Sequence, residues 1–282
     1  MSDERIGSRA GRHRAAVLGS PIDHSLSPAL HRAAYRSLGL EWTYEPYDVD
    51  AKALPSFLAG LDATWAGLSL TMPLKQVVIS LLDEVDPEAV QLASVNTVLP
   101  HPGGGWRGTN TDVYGMVESL SQAGLGSVPG TATILGAGAT ARSAIAALAR
   151  LGCSQVAVCA RRPEAVEGLS ELAEQFGLSA QCSDLTPNAE LIGADLIVST
   201  LPGDAAAPWT ELAGGARGAL LDVSYHPWPT PLAAAWGGSV IASGRDMLLW
   251  QAVEQVRLMT GEEPSVAAMR QALPSDPAAR PA

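Results

Sequence analysis

Residues 131–141 read TATILGAGATA: the apolar, partly β-branched run Thr131-Ala-Thr-Ile-Leu135 passes without a break into Gly136-Ala137-Gly138-Ala139-Thr140-Ala141. The first five residues predict a strand, the alanine- and leucine-rich residues 139–151 a helix, and residues 155–160 a second strand. Strand, glycine turn, helix and strand in that order make a dinucleotide-binding βαβ unit. Gly136 would permit the tight turn, Gly138 would let the backbone approach a pyrophosphate, and Ala141 is small enough for helix to pack closely on strand. The amides that open the helix, with its dipole, would hold the phosphates. The competing reading is an alanine-rich helix after an ordinary turn.

The second strand runs into Ala160-Arg161-Arg162-Pro163, with no Asp or Glu anywhere in residues 156–163. An acidic residue near this point would hold a ribose 2′-hydroxyl, whereas arginine suits a 2′-phosphate. NADP(H) is therefore favoured over NAD(H). A solvated basic pair at a strand end is the alternative.

Outward from this unit, β-type and helical patterns alternate along the chain. Residues 15–19, 43–49, 67–70 and 95–99 predict strands, with helices over 28–38, 54–61 and 73–82 between them. Such alternation argues for parallel strands joined by crossover helices. A helix over 112–123 leads into the connector GLGSVPG at 124–130. Residues 196–200 and 219–223 predict later strands, and 247–260 an amphipathic helix. Two α/β domains with a cleft between them follow from this order.

The 282 residues carry 18 Lys+Arg against 29 Asp+Glu, a net charge of −11. A nucleic-acid backbone is a poor partner for such a chain, and an anionic ligand would have to be met by a few placed cations. No apolar run reaches the ~18–20 residues that span a bilayer. The apolar stretch at 15–19 is shorter than the ~7–15 residues of a signal-peptide core. Cys153, Cys159 and Cys182 form no CxxC and no zinc spacing, the histidines no metal pattern, and no metal is expected. His24 and His31 read as packing or surface residues. A soluble protein of a reducing compartment, the cytoplasm, is expected.

Four polar clusters lie outside the glycine motif. Ser25-Leu-Ser27-Pro28 reads either as a helix start, with Ser27 as N-cap and Pro28 in the first turn, or as two hydroxyls at a helix N-terminus that bind a small carboxylate. Ser69-Leu-Thr71-Met-Pro73-Leu-Lys75 sets alternating hydroxyls at a strand end and a lysine in the first turn of a helix. There a cation opposes the dipole, and that, with burial, would lower its pKa and fit it to serve as a base. A solvated surface lysine is the other reading. Asn96 stands inside a strand-like run, where asparagine is disfavoured. Asn110-Thr-Asp112 precedes a helix, and plain N-capping accounts for it equally.

Taken together these segments resemble one family, the shikimate dehydrogenases. GSPIDHSLSPALH (19–31), TMPLK (71–75), VNT (95–97), NTD (110–112) and GAGATA (136–141) fall in family order, and the match runs from about residue 15 to 273. The resemblance implies reversible, NADPH-dependent reduction of 3-dehydroshikimate to shikimate, in aromatic amino-acid biosynthesis. It implies an N-terminal α/β substrate-binding domain, residues 15–111, completed by a final helix that returns to it at 247–273. A Rossmann-type domain over 112–246 and tails at 1–14 and 274–282 complete the layout. It assigns Ser25 and Ser27 to the substrate carboxylate, and Ser69, Thr71, Lys75, Asn96, Asp112 and Gln251 to the rest of the substrate. Lys75 and Asp112 are the implied catalytic pair. The cofactor falls to Gly136, Ala137, Gly138, Ala139, Thr140, Ala141, Arg161, Arg162, Thr200, Val223, Gly244 and Met247.

Three positions depart from the family pattern: Ser69 where asparagine is common, Ala165 for a frequent second arginine, and Asp246 where glycine is frequent. The competing functions are a catabolic quinate/shikimate dehydrogenase using NAD, a non-catalytic NADP(H)-binding regulator on the same scaffold, and a one-carbon folate dehydrogenase. The partner expected is a small molecule, with the chain a monomer or homodimer.

Overall fold

The computed structural model describes residues 13–128 and 130–274, arranged as two compact units. The first takes the described residues up to Val85 together with Val95–Thr109 and Ala252–Pro274; the second takes Asp86–Ser94 and Asn110–Gln251. Of the expected tails, residues 1–12 and 275–282 lie outside the described residues, while Arg14 opens the first strand.

The first unit holds a six-stranded sheet made of β1 (Arg14–Gly19), β2 (Thr43–Asp48), β3 (Trp65–Leu70), β4 (Glu84–Val85), β5 (Thr97–Pro100) and β6 (Trp106–Thr109), in the order β2-β1-β3-β5-β6-β4. β1 pairs in parallel with both β2 and β3, as the alternation predicts. The rest of the expectation is corrected, because β5 runs antiparallel to β3 and to β6. Between β5 and β6, His101-Pro-Gly-Gly-Gly105 supplies two positive φ angles, 91° at Gly104 and 83° at Gly105, and the hairpin it makes sets that pairing antiparallel; β5 already runs against β3 before this turn. Every residue of β3 is buried, as befits a strand in mid-sheet. The helix Ser27–Ser37 buries Leu30, Ala33, Ala34 and Tyr35, and it packs against the chain's last described helix, Val266–Gln271.

The second unit contains β7 (Thr131–Leu135), β8 (Gln155–Cys159), β9 (Ser179–Ser183), β10 (Leu196–Ser199), β11 (Ala219–Asp222) and β12 (Ile241–Ser243). Their order, β12-β11-β10-β7-β8-β9, is that of a doubly wound nucleotide-binding sheet, and every pairing is parallel. Successive strand residues feed opposite cores. Ile134, Val198 and Leu221 join the helices Asp112–Gln122, Ala139–Arg150 and Pro163–Gln175 on one face. Leu135, Ile197 and Leu220 meet Trp209, Leu232 and Trp236 on the other. Cys153 and Cys159 are buried free thiols, as their apolar settings suggest. Among the described residues no helix is long and apolar enough to cross a membrane.

Candidate active site

The glycine motif forms at the C-terminal end of β7. Gly136 has φ 108°, and a Cβ there would meet Thr200 Oγ1 at 2.4 Å, so only glycine makes the turn. Thr200 is held in place by its own hydroxyl, which donates to the Leu135 carbonyl at 2.9 Å. Gly138 stands at the cap position of the helix Ala139–Arg150, where it has no side chain to offer that helix's first amides. Open space lies beyond its α-carbon. Ala141 is fully buried in the core beneath. A cavity of about 480 Å³ opens over this turn, lined by Gly136, Ala137, Gly138, Arg161, Arg162 and Thr200, and also by Ala165. A cap without a side chain, room for backbone approach and two exposed arginines at the end of β8 fit a dinucleotide with a phosphorylated ribose. Arg162 faces the same cavity as Ala165 and so supplies a second cation there.

Val223 and Gly244 follow directly on β11 and β12, and Met247 lies in the first turn of the helix Gly244–Thr260. The Gly244 α-carbon approaches the Val223 carbonyl so closely that a Cβ would sit 2.1 Å from its oxygen. Asp246 finds a local use: its N–H donates to Ser243 Oγ at 3.1 Å, and that hydroxyl donates back to Asp246 Oδ2 at 2.7 Å. Ser243 thus caps the helix Gly244–Thr260, and the Asp246 carboxylate, where the family often has glycine, orients the capping hydroxyl. The buried Asp222 carboxylate accepts from Thr230 Oγ1 at 2.6 Å and from the Ser224 N–H at 3.2 Å, and burial raises its pKa. It ties down residues 223–230, a constraint for which the sequence offers no local signal. Gln251 donates to the Leu248 carbonyl at 2.8 Å, and Met247 is buried.

Asp112 is the first residue of the helix Asp112–Gln122 and is 3% exposed. A carboxylate there is favoured by the dipole. Asn110 does the capping: its Oδ1 accepts from the Asp112 N–H at 2.9 Å and the Val113 N–H at 3.3 Å. Its Nδ2 donates to the Ser94 carbonyl at 2.8 Å and Ser143 Oγ at 3.1 Å.

In the first unit, Ser27 is not an N-cap. It is already the first helical residue, the cap position falls to Leu26, and the Ser27 N–H donates to Ser25 Oγ at 3.4 Å. Lys75 is half-buried in a single turn, Leu74–Val77, that continues as the 3₁₀ turn Val78–Leu81. One turn sums few peptide dipoles, so the dipole argument for Lys75 fails. The Lys75 carbonyl accepts from the Val95 N–H at 2.8 Å, and the Asn96 carbonyl from the Leu70 N–H at 2.8 Å, which fastens the TMPLK segment beside VNT. Asn96 precedes β5 rather than lying inside it, so it escapes the strand penalty, and it is 1% exposed. Ser69 Oγ accepts from Tyr44 at 2.6 Å and donates to Gln255 Oε1 at 2.7 Å. Tyr44 and Gln255 were absent from the predicted site. Gln255 stands one helical turn after Gln251, the one local signal that would have found it.

The family model for the shikimate dehydrogenase substrate binding domain matches residues 17–98, and that for the shikimate 5′-dehydrogenase C-terminal domain matches residues 244–273. A curated protein of Synechococcus sp. named shikimate dehydrogenase (NADP(+)) is 37% identical, over 91% of this chain and 93% of its own. The chain belongs to the shikimate dehydrogenase family. The solved shikimate dehydrogenase of Mycobacterium tuberculosis is 40% identical with a TM-score of 0.84, covering 92% of this chain and 98% of its own. The shikimate dehydrogenase of Thermus thermophilus, solved with NADP(H) and shikimate, is 36% identical with a TM-score of 0.80, covering 92% and 98%.

Proposed function

We propose that this chain is an NADP-dependent oxidoreductase that interconverts 3-dehydroshikimate and shikimate. The observation that carries the reading is the cavity over Gly136–Gly138, whose mouth holds Arg161 and Arg162 where an NAD site would place a carboxylate. Family membership and the names of the relatives support the substrate. When bound, the cofactor supplies a hydride to the ketone and takes one back in the reverse direction.

The chain's own residues do the rest. Ser25 and Ser27 bind the substrate carboxylate, and Thr71, Asn96 and Gln251 orient its ring hydroxyls. Reduction of a ketone leaves negative charge on its oxygen, and Lys75 Nζ donates the proton that quenches it; in oxidation the same nitrogen takes the proton away. Asp112 accepts a hydrogen bond from a substrate hydroxyl and so orders it. Arg161 and Arg162 clamp the 2′-phosphate through charge-assisted hydrogen bonds. The reading needs no nucleic-acid or membrane partner, is met by a monomer or homodimer, and suits a reducing cytoplasm in which the free thiols persist.

The test is shikimate-dependent formation of NADPH by the purified chain, followed by absorbance. Turnover with shikimate and NADP⁺ supports the reading; tight NADP⁺ binding without turnover marks the chain as a regulator on this scaffold and overturns it.

A further inference from the structure

A continuous buried hydrogen-bond chain runs through the first unit, and its members come from five separated stretches of sequence. His31 is fully buried on the helix Ser27–Ser37, stacked on Tyr44 with ring centroids 4.0 Å apart and planes 15° apart. Its Nε2 lies 3.2 Å from Gln255 Oε1, and its Nδ1 lies 3.2 Å from the Tyr35 hydroxyl. Gln255 Nε2 donates to the Asn96 carbonyl at 3.2 Å and to Thr97 Oγ1 at 2.9 Å. The Thr97 hydroxyl in turn donates to Asn96 Oδ1 at 2.8 Å. On the other side Ser69 donates to Gln255 Oε1, and Tyr44 donates to Ser69.

The Asn96 carbonyl fixes the direction of the bonds around Gln255. The Asn96 carbonyl can only accept, so Gln255 must turn its NH₂ toward it and toward Thr97. Its Oε1 is then an acceptor, which requires His31 to carry its proton on Nε2 and leaves Nδ1 to accept from Tyr35. Thr97 Oγ1 receives from Gln255, and its own proton goes to Asn96 Oδ1. With Oδ1 committed to Thr97, the opposite edge of the Asn96 amide is the NH₂ donor. Ser69 spends its proton on Gln255, so toward a ligand it can only accept.

We propose that Gln255 is a positioning residue that sets the donor direction of Asn96, through Thr97, for substrate recognition. This rests on the assignment of Asn96 to the substrate made above. Ser69 serves this chain of bonds in place of a direct donor contact to substrate, which accounts for a serine where the family commonly has asparagine. The network selects for a substrate oxygen that accepts a hydrogen bond at Asn96. A buried amide free to rotate would present either edge and lose that selection.

Thr97→Val removes the relay hydroxyl and keeps the β-branched shape; Thr97→Ser keeps the hydroxyl. The Asn96 side-chain NH₂ resonances, assigned by their loss in Asn96→Asp, should shift in Thr97→Val and stay near their native positions in Thr97→Ser. That readout needs no substrate, so it judges the network even if shikimate is not turned over. In turnover, Thr97→Val should raise the KM for shikimate about tenfold, the worth of one well-placed hydrogen bond. The KM for NADP⁺ should move less than about twofold, and Thr97→Ser should recover most of the loss. Gln255→Glu keeps the acceptor for Ser69 and His31, loses the donor to Thr97, and should resemble Thr97→Val. Unmoved Asn96 resonances in Thr97→Val, equal effects of Val and Ser, or parallel changes in both KM values would overturn the proposal.

Discussion

Lys75 and Lys52 are the only lysines in the chain, and only Lys75 stands in a segment with alternating hydroxyls. In the proposed reaction it moves the proton to and from the reacting oxygen. Lys75→Ala should lower kcat by roughly 10²–10⁴, the usual worth of a positioned acid–base group, with a smaller change in substrate binding because the serines and Asn96 remain. Asp112→Asn should also lower kcat, and the double variant should fall no further than the product of the two losses, since the groups act as a unit. Near-normal kcat in a folded Lys75→Ala protein would remove the lysine from the chemistry. His31 makes a separate prediction about stability. Burial lowers its pKa from 6.5 to about 3, against the raising effect of its bond to Gln255. The folded value lies below the unfolded one, so as pH falls the unfolded chain takes up the proton first. Stability from the neutral ring is complete above about 6.5 and drains away toward about 3, at up to about 1.4 kcal/mol per pH unit. His31→Gln should flatten the pH dependence of unfolding free energy in that window. An unchanged slope would mean that the folded protein protonates His31 as readily as the unfolded chain does.

At the scale of elements, the helix Ala139–Arg150 depends on the smallness of its third residue. Ala141 is fully buried against the sheet, and Ala141→Leu overpacks that contact, a change that typically costs about 1–3 kcal/mol. The variant should melt at lower temperature and raise the KM for NADP⁺ and NAD⁺ together, because it displaces the turn that both share. A selective loss of NADP⁺ would contradict this. The same element was the most legible part of the sequence: β7 falls on the residues predicted, and β8 and the helix each end one residue earlier. Turn, strand and helix signals there are local and point the same way. The first sheet was less legible, because β5 already runs against β3 and the hairpin at residues 101–105 turns the chain again, neither of which the alternating pattern signals. The spacing predicts a helix over 73–82 around Lys75, long enough to carry a dipole, whereas the chain makes one turn there and continues as a 3₁₀ turn. The polar network was hidden for a plainer reason. Gln255 lies 159 positions from Asn96 and 224 from His31, and no periodicity in a single sequence joins such residues.

For the whole molecule, a net charge of −11 makes the two exposed arginines at the cofactor cavity the decisive cations for an anionic ligand. Replacing Arg161 and Arg162 with neutral residues should raise the KM for NADP⁺ by about tenfold or more and leave that for NAD⁺ nearly unchanged, since each charged hydrogen bond contributes about 1.5–3 kcal/mol. Equal effects on both cofactors would remove the 2′-phosphate assignment. The same logic separates the proposed enzyme from a quinate-oxidising relative that uses NAD. The decisive measurement is kcat/KM for shikimate and for quinate, each with NADP⁺ and with NAD⁺, on the unaltered chain. The expected result is that shikimate with NADP⁺ exceeds every other combination by at least about tenfold, the difference that ~1.4 kcal/mol makes. A preference for quinate with NAD⁺, or no oxidation of shikimate by either cofactor, would contradict it.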